Sequence, residues 1–170
     1  MAITWASGMR MTPARLNAMP KGIIARGHRT SSSTATTSSV GVLRLDDVPV
    51  KSGRSYRVFT SGLTFVGTSG DTARARITHT TDGSTPTTAS TQLGAGCRNR
   101  IAGTTGPEAP ILIASETYHA TADGLLSVLL VVTRSAGTGG SVSLFGSSTE
   151  PIELLIEDLG TDPGDTGTDV

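Results

Sequence analysis

Several things are scarce in this chain of 170 residues, and each scarcity excludes a class. It holds one cysteine, Cys97, so no intramolecular disulfide framework can staple it. Aromatic residues make up 4%, few for the platforms of a sugar-binding surface, and charged residues 16%, too few for a disordered polyelectrolyte. The longest apolar run, residues 125–132, is broken by Ser127 and falls far short of the roughly 20 residues that cross a bilayer. No charged segment followed by an apolar one opens the chain, so no secretory signal is expected and synthesis in the cytoplasm is. Acids are missing before Asp46, where Arg10, Arg15, Lys21, Arg26, Arg29 and Arg44 lie. Bases are missing from Glu150 onward, where Glu150, Glu153, Glu157, Asp158, Asp162, Asp165 and Asp169 lie. The formal net charge of zero therefore hides a basic head and an acidic tail, which attract each other within a chain or between copies. Six cations spread over the head, with Trp5 the one aromatic among them, are too sparse for a groove that tracks nucleic acid.

What is abundant points to β structure. There are 21 glycines, and Ser with Thr make about a quarter of the chain. Ala73, Ala75 and Ile77 alternate with Arg74, Arg76 and Thr78, the period-two mark of a half-buried strand. Further strand-like runs begin at Val40, Tyr56, Ile111, Leu125, Val142 and Ile152, separated by Gly, Pro and Asp-Gly turn signals. The spacing predicts about eight strands in an antiparallel β-sandwich of jelly-roll type, all-β, with residues 125–132 as a central strand buried on both faces. Residues 30–39, rich in Ser and Thr, read either as a linker or as a polar edge strand.

The two ends read differently from the middle. Thr12-Pro13 is a helix N-cap and first position, and Pro20 stops the short helix segment that follows. Trp5, Met9, Met11, Leu16 and Met19 form an apolar set that one short turn of helix cannot bury alone. They either pack on their own domain or dock on another protein, and they are the candidate partner-docking residues. The expected organisation is a docking segment at 1–21, a sandwich domain at 22–157 and an acidic tail at 158–170.

Tests for chemistry return little. His28, His79 and His119 have no metal-ligand spacing, and the tail aspartates lack the alternating order of a calcium loop. Cys97 sits in GAGCRN, read as a flexible loop whose Arg98 and Arg100 would lower a thiol pKa. GTGG at 137–140 is followed by a strand-like segment, so no helix N-terminus backs a phosphate loop there. No hydrolase motif or carboxylate pair appears, so no enzyme, cofactor or metal is expected.

Two stretches resemble known families. TTDGSTPTTAST at 80–91, a strand, an Asp82-Gly83 turn and a return led by Pro86, resembles a hairpin of small immunoglobulin-like domains of chitobiase type. The second likeness spans most of the chain. WASGMRMTPARLNAM at 5–19 resembles the N-terminal segment of bacteriophage tail and fibre proteins, through Trp5, Gly8, Thr12, Ala14, Leu16 and Asn17. RLDDVPVKSGRSYRV, RITHTTDGSTPTT, LLSVLLVVTRSAGTG and LLIEDLGTDPGDTGTDV continue it, in the order of small minor tail proteins of phages that infect actinobacteria. That resemblance implies a non-catalytic virion component made in the bacterial host cytoplasm. Its implied partners are other virion proteins, its own copies as a homotrimer, and a host-surface glycan, with no nucleic acid and no membrane. A capsid decoration or head-fibre protein and a carbohydrate-binding module are the alternatives.

Overall fold

The computed structural model describes residues 19–61, 63–101, 114–137 and 139–161. The predicted helix segment and most of the acidic tail lie outside them. Within them are ten strands: β1 (Gly22–Arg29), β2 (Val40–Val50), β3 (Arg54–Thr60), β4 (Phe65–Val66), β5 (Thr72–Thr80), β6 (Gln92–Arg100), β7 (Ser115–Ala120), β8 (Gly124–Ala136), β9 (Ser143–Leu144) and β10 (Ile152–Thr161). All strand pairs are antiparallel.

Their pairing is nested. β5 pairs with β6, β3 with β7 around them, β2 with β8, and β1 with β10 outermost. A long antiparallel ribbon of this kind, rolled up on itself, closes when β10 also meets β3 and β8 also meets β5. The result is two four-stranded sheets, β1-β10-β3-β7 and β2-β8-β5-β6. This is the eight-stranded jelly roll that the strand spacing predicts. The two-residue strands β4 and β9 make a small extra sheet.

The core lies between the sheets. Tyr56, Val58, Leu154 and Ile156 from one face Ala73, Ala75, Ile77, Leu126, Val128, Leu130 and Val132 from the other, all buried. On its outer side β8 leaves Leu129 half-buried and Leu125 exposed, but it is buried there at Ser127 and Val131, which are sealed although they alternate with core residues. The segment between β5 and β6 does this. Thr78 Oγ1 donates to the Thr87 carbonyl at 2.9 Å, Arg76 Nη2 to the Thr88 carbonyl at 2.9 Å, and Pro86 is buried. The return strand thus begins at Gln92, and Pro86 belongs to a flap over the sheet. Gly83, at φ 76, lets the chain turn after Asp82, whose carboxylate accepts from the Ser84 amide at 3.0 Å.

Residues 30–39 are neither linker nor edge strand. Ser33 is buried, its amide donating to the Leu144 carbonyl and its hydroxyl accepting from the Leu144 amide, both at 2.9 Å. Thr36 exchanges both backbone bonds with Val142. Short hydroxyl side chains suit this stitching because they satisfy backbone groups without adding bulk.

Cys97 is in β6, not in a loop. Gly94, Ala95 and Gly96 form a bulge opposite Arg76, with φ of 63 at Gly94 and 70 at Gly96. Glu116 Oε1 accepts the Gly96 amide at 2.6 Å across the open side of the sandwich.

The centre and the start of β8 differ measurably. Leu130→Ala, at a fully buried site, is expected to cost about 2–5 kcal/mol, and Leu125→Ala, at an exposed site, about 0.5 kcal/mol or less. Urea unfolding of the two variants checks the assignment; equal losses would refute it.

Candidate functional site

The root of the N-terminal segment is the most built feature of the surface. Arg54 opens β3 and Asp158 lies near the end of β10, where the two strands are neighbours. Arg54 is 7% exposed and Asp158 2%. Arg54 Nε reaches both carboxylate oxygens at 3.1 Å, and Nη2 reaches Oδ1 at 2.7 Å. The same Nη2 donates to the Met19 carbonyl at 2.7 Å, while the Lys21 amide donates to the Asp158 carbonyl at 3.2 Å. A bulge between Asp158 and Gly160 turns the Gly160 amide onto Asp158 Oδ1 at 2.9 Å. The buried charges are therefore matched and their remaining valences filled, which is what makes a buried pair tolerable. Asp158, counted from sequence with the acidic tail, is instead part of this clamp.

Of the candidate docking residues, Met19 is half-buried at the clamp. Trp5, Met9, Met11 and Leu16 lie outside the described residues. Beside the clamp are exposed Ile23 and Ile24 on β1 and Leu159 on β10. β1 is an edge strand, with a register shift between Ile23 and Ala25. Sequence reasoning missed this clamp because its two charges are 104 positions apart.

The groups tested for chemistry are engaged within the fold. His79 Nδ1 lies 3.1 Å from the Thr91 carbonyl, and its ring meets Tyr118 at a centroid distance of 5.7 Å. His119 Nδ1 lies 3.0 Å from Ser55 Oγ, a serine that is buried and so not offered to a substrate. No group of three or more His, Cys, Asp or Glu gathers at metal-binding distance among the described residues. Burial pushes the Cys97 thiol pKa up, the reverse of the expectation from its arginine neighbours. Strand alternation is the reason: Cys97 turns toward the core while Arg98 turns out. Among the described residues there is no helix long and apolar enough to cross a membrane.

The GTGG stretch holds an anion after all, but one from its own chain. The amides of Gly139 and Gly140 donate to the two oxygens of Asp71 at 3.0 and 2.9 Å, with Arg134 Nη1 3.9 Å away. A Cβ at Gly137, which has φ 104, would lie 2.0 Å from Asp71 Oδ1, so glycine is required there.

Comparison with known proteins adds distant solved structures and no family. No family model and no curated protein matches the chain. The D431N mutant of the VP2 protein of infectious bursal disease virus, in derived T=1 particles, is 15% identical with a TM-score of 0.42. Another structure of T=1 particles derived from that virus is 14% identical at 0.44, and the Gx strain of the virus is 15% identical at 0.36. Each covers 95% of this chain, which in turn spans about two fifths of theirs, 41% to 43%.

Two measurements probe the site. Arg54→Met leaves a buried carboxylate unpaired and is expected to cost about 3–5 kcal/mol, whereas Arg26→Met, at the exposed end of the Arg26–Glu153 pair, costs under about 1 kcal/mol. Denaturant midpoints compare them, and equal costs would remove the clamp. The Gly139 and Gly140 amides, and then Arg134, hold the Asp71 carboxyl below the usual carboxylate range. A depressed folded pKa means stability that is present above about pH 4 and lost as pH falls through the folded value. The stability advantage of the wild-type chain over Asp71→Asn should therefore shrink as melts are run from neutral pH to below about pH 4. An advantage that persists unchanged in acid would contradict this.

Proposed function

We propose that this chain is a non-catalytic structural component of a virion, a minor tail or fibre-type protein that docks through its N-terminal segment. The observation that carries the reading is the clamp. Arg54 and Asp158 fix the Met19 carbonyl at the rim of the sandwich, so the apolar set ahead of it is attached to a rigid point. A docking segment needs such a joint, since force and orientation pass through it to the displayed domain. The sequence resemblance to small minor tail proteins supports the same reading. So does the engagement of His79, His119, Ser55, Cys97 and the glycine loop in internal contacts, where an enzyme of this fold would aim some of them at a cleft. A homotrimer within a bacteriophage particle, facing the host surface, is part of the proposal.

Incorporation tests it. Particles lacking the protein are complemented with the full chain, with residues 19–170, or with Trp5→Ala. The shortened domain is expected to melt within a few degrees of the full chain yet be absent from purified particles by immunoblot. Trp5→Ala is expected to reduce incorporation about tenfold or more, since a buried aromatic anchor carries about 2 kcal/mol of an interface. Normal incorporation of 19–170 would overturn the proposal.

A further inference from the structure

The arginines of β5 and β6 differ from other outward-facing arginines, of which Arg44 on β2 pairs with Asp46. On β1-β10-β3-β7, Arg26 pairs with Glu153 and Arg57 pairs with Glu157 while lying 4.7 Å over the Phe59 ring. On β5 and β6, Arg74, Arg76, Arg98 and Arg100 have no carboxylate partner among the described residues. They share one face, because they alternate with Ala73, Ala75 and Ile77, which are in the core, and with Cys97, which packs against it. Arg74 stands directly opposite Arg98 in the register, a like-charge pair that costs stability.

Two of the four are held in place. Arg74 Nη2 donates to Gln92 Oε1 at 3.1 Å and to the Ala95 carbonyl at 2.9 Å. Arg76 Nη2 donates to the Thr88 carbonyl at 2.9 Å and to Ser39 Oγ at 3.3 Å. Their Nε atoms are buried without a hydrogen-bond acceptor. Arg98 and Arg100 project into solvent. A positioned, uncompensated row of guanidinium groups fits carboxylates better than any other protein group.

We infer that this row docks the acidic residues Asp162, Asp165 and Asp169 of a second copy of this chain. The charge balance favours that occupant. The formal net charge is zero, and residues 159–170 contain these three acids and no base. Geometry favours a second copy over the same one. β10 ends at Thr161 beside the start of β3 and the end of β7, whereas Arg98 and Arg100 close β6 at the far end of the other sheet. At about 3.3 Å per residue, residues 162–169 extend over less than about 30 Å. That length would be used up in rounding two sheets about 10 Å apart and running along β6. A neighbouring copy presents the row without that detour. The inference rests on the self-association in that reading and gives it a contact, whereas incorporation through residues 1–18 succeeds or fails independently of it.

The test is sedimentation of the full-length protein. The wild-type chain is expected to associate at about 50 mM salt and to shift to lower mass at about 0.5 M, where charges beyond a few ångströms are screened. Arg98→Glu with Arg100→Glu, and separately Asp162→Asn with Asp165→Asn and Asp169→Asn, should each weaken association about tenfold while leaving the melting temperature unchanged. Adding Asp162→Lys, Asp165→Lys and Asp169→Lys to the two glutamate substitutions should restore it. A wild-type monomer at low salt, unchanged mass in either neutralised variant, or failure of the exchanged charges to restore mass would overturn the inference. So would arginine-dependent binding of a fluorescent oligothymidylate that competes with self-association, since the row would then serve a polyphosphate.

Discussion

A strand that is apolar at nearly every position has little face to give to water, and β8, sealed on both sides at Ser127 and Val131, is such a strand. In a two-layer sandwich one side of each strand is covered by the opposite sheet, which accounts for Leu126, Val128, Leu130 and Val132. The other side needs a second cover. Here the chain between β5 and β6 lies back across the sheet, with Pro86 buried and the stem of Arg76 alongside Val131 in the register. The polar groups this traps are satisfied: Ser127 Oγ accepts the Asp47 amide at 2.9 Å, and Thr78 reaches the Thr87 carbonyl. Asp47 adopts φ 54 at a bulge to make that bond, so even the irregularity of β2 follows from sealing β8.

Once β8 is fixed at the centre of its sheet, the nested pairing leaves loops of two kinds. The turns from β2 to β3 and from β7 to β8 are short and held by Asp123, which accepts from the Ser52 amide at 2.9 Å and the Lys51 ammonium at 2.7 Å. The same end of the sandwich carries the Arg54–Asp158 clamp, so the described chain enters at Met19 and leaves at Thr161 beside it. At the opposite end the long connections pack Leu63, Phe65, Ile101, Val142 and Leu144 into the core and are tied to one another by hydroxyls and by Asp71. Apolar side chains laced by hydroxyls and Asp71 close the long-loop end, and an ion pair closes the end from which the chain projects.

Legibility in the sequence followed the range of the contacts. The alternation of Ala73, Arg74, Ala75 and Arg76, and the run through residues 125–132, are local patterns, and both strands form where the patterns lie. Cys97 was misplaced because two glycines in three residues resemble a loop, whereas a bulge uses the same residues for the same positive φ. Ser33 looked like linker because its partner Leu144 is 111 positions away. Asp158 looked like tail because neighbouring acids surround it in sequence, while its guanidinium arrives from β3. In each case residue type was read correctly and its partner was out of range.

The same limit explains why the arginines seemed unremarkable in sequence. Composition records equal numbers of acids and bases, 14 of each, and a uniform mixture would give the same count. Folding sorts them. β10 brings Glu153, Glu157 and Asp158 to Arg26, Arg57 and Arg54, neutralising three arginines of its own sheet. That pairing is forced by strand order, since β10 lies between β1 and β3. β6 is the edge of the other sheet, and its neighbour β5 brings arginines rather than acids. An edge strand with exposed arginines resists edge-to-edge pairing with another sheet, because like charges repel along the ladder. The charge that guards this edge against random sheet growth also selects an acidic segment, in place of a bare strand, as what another molecule can bring there.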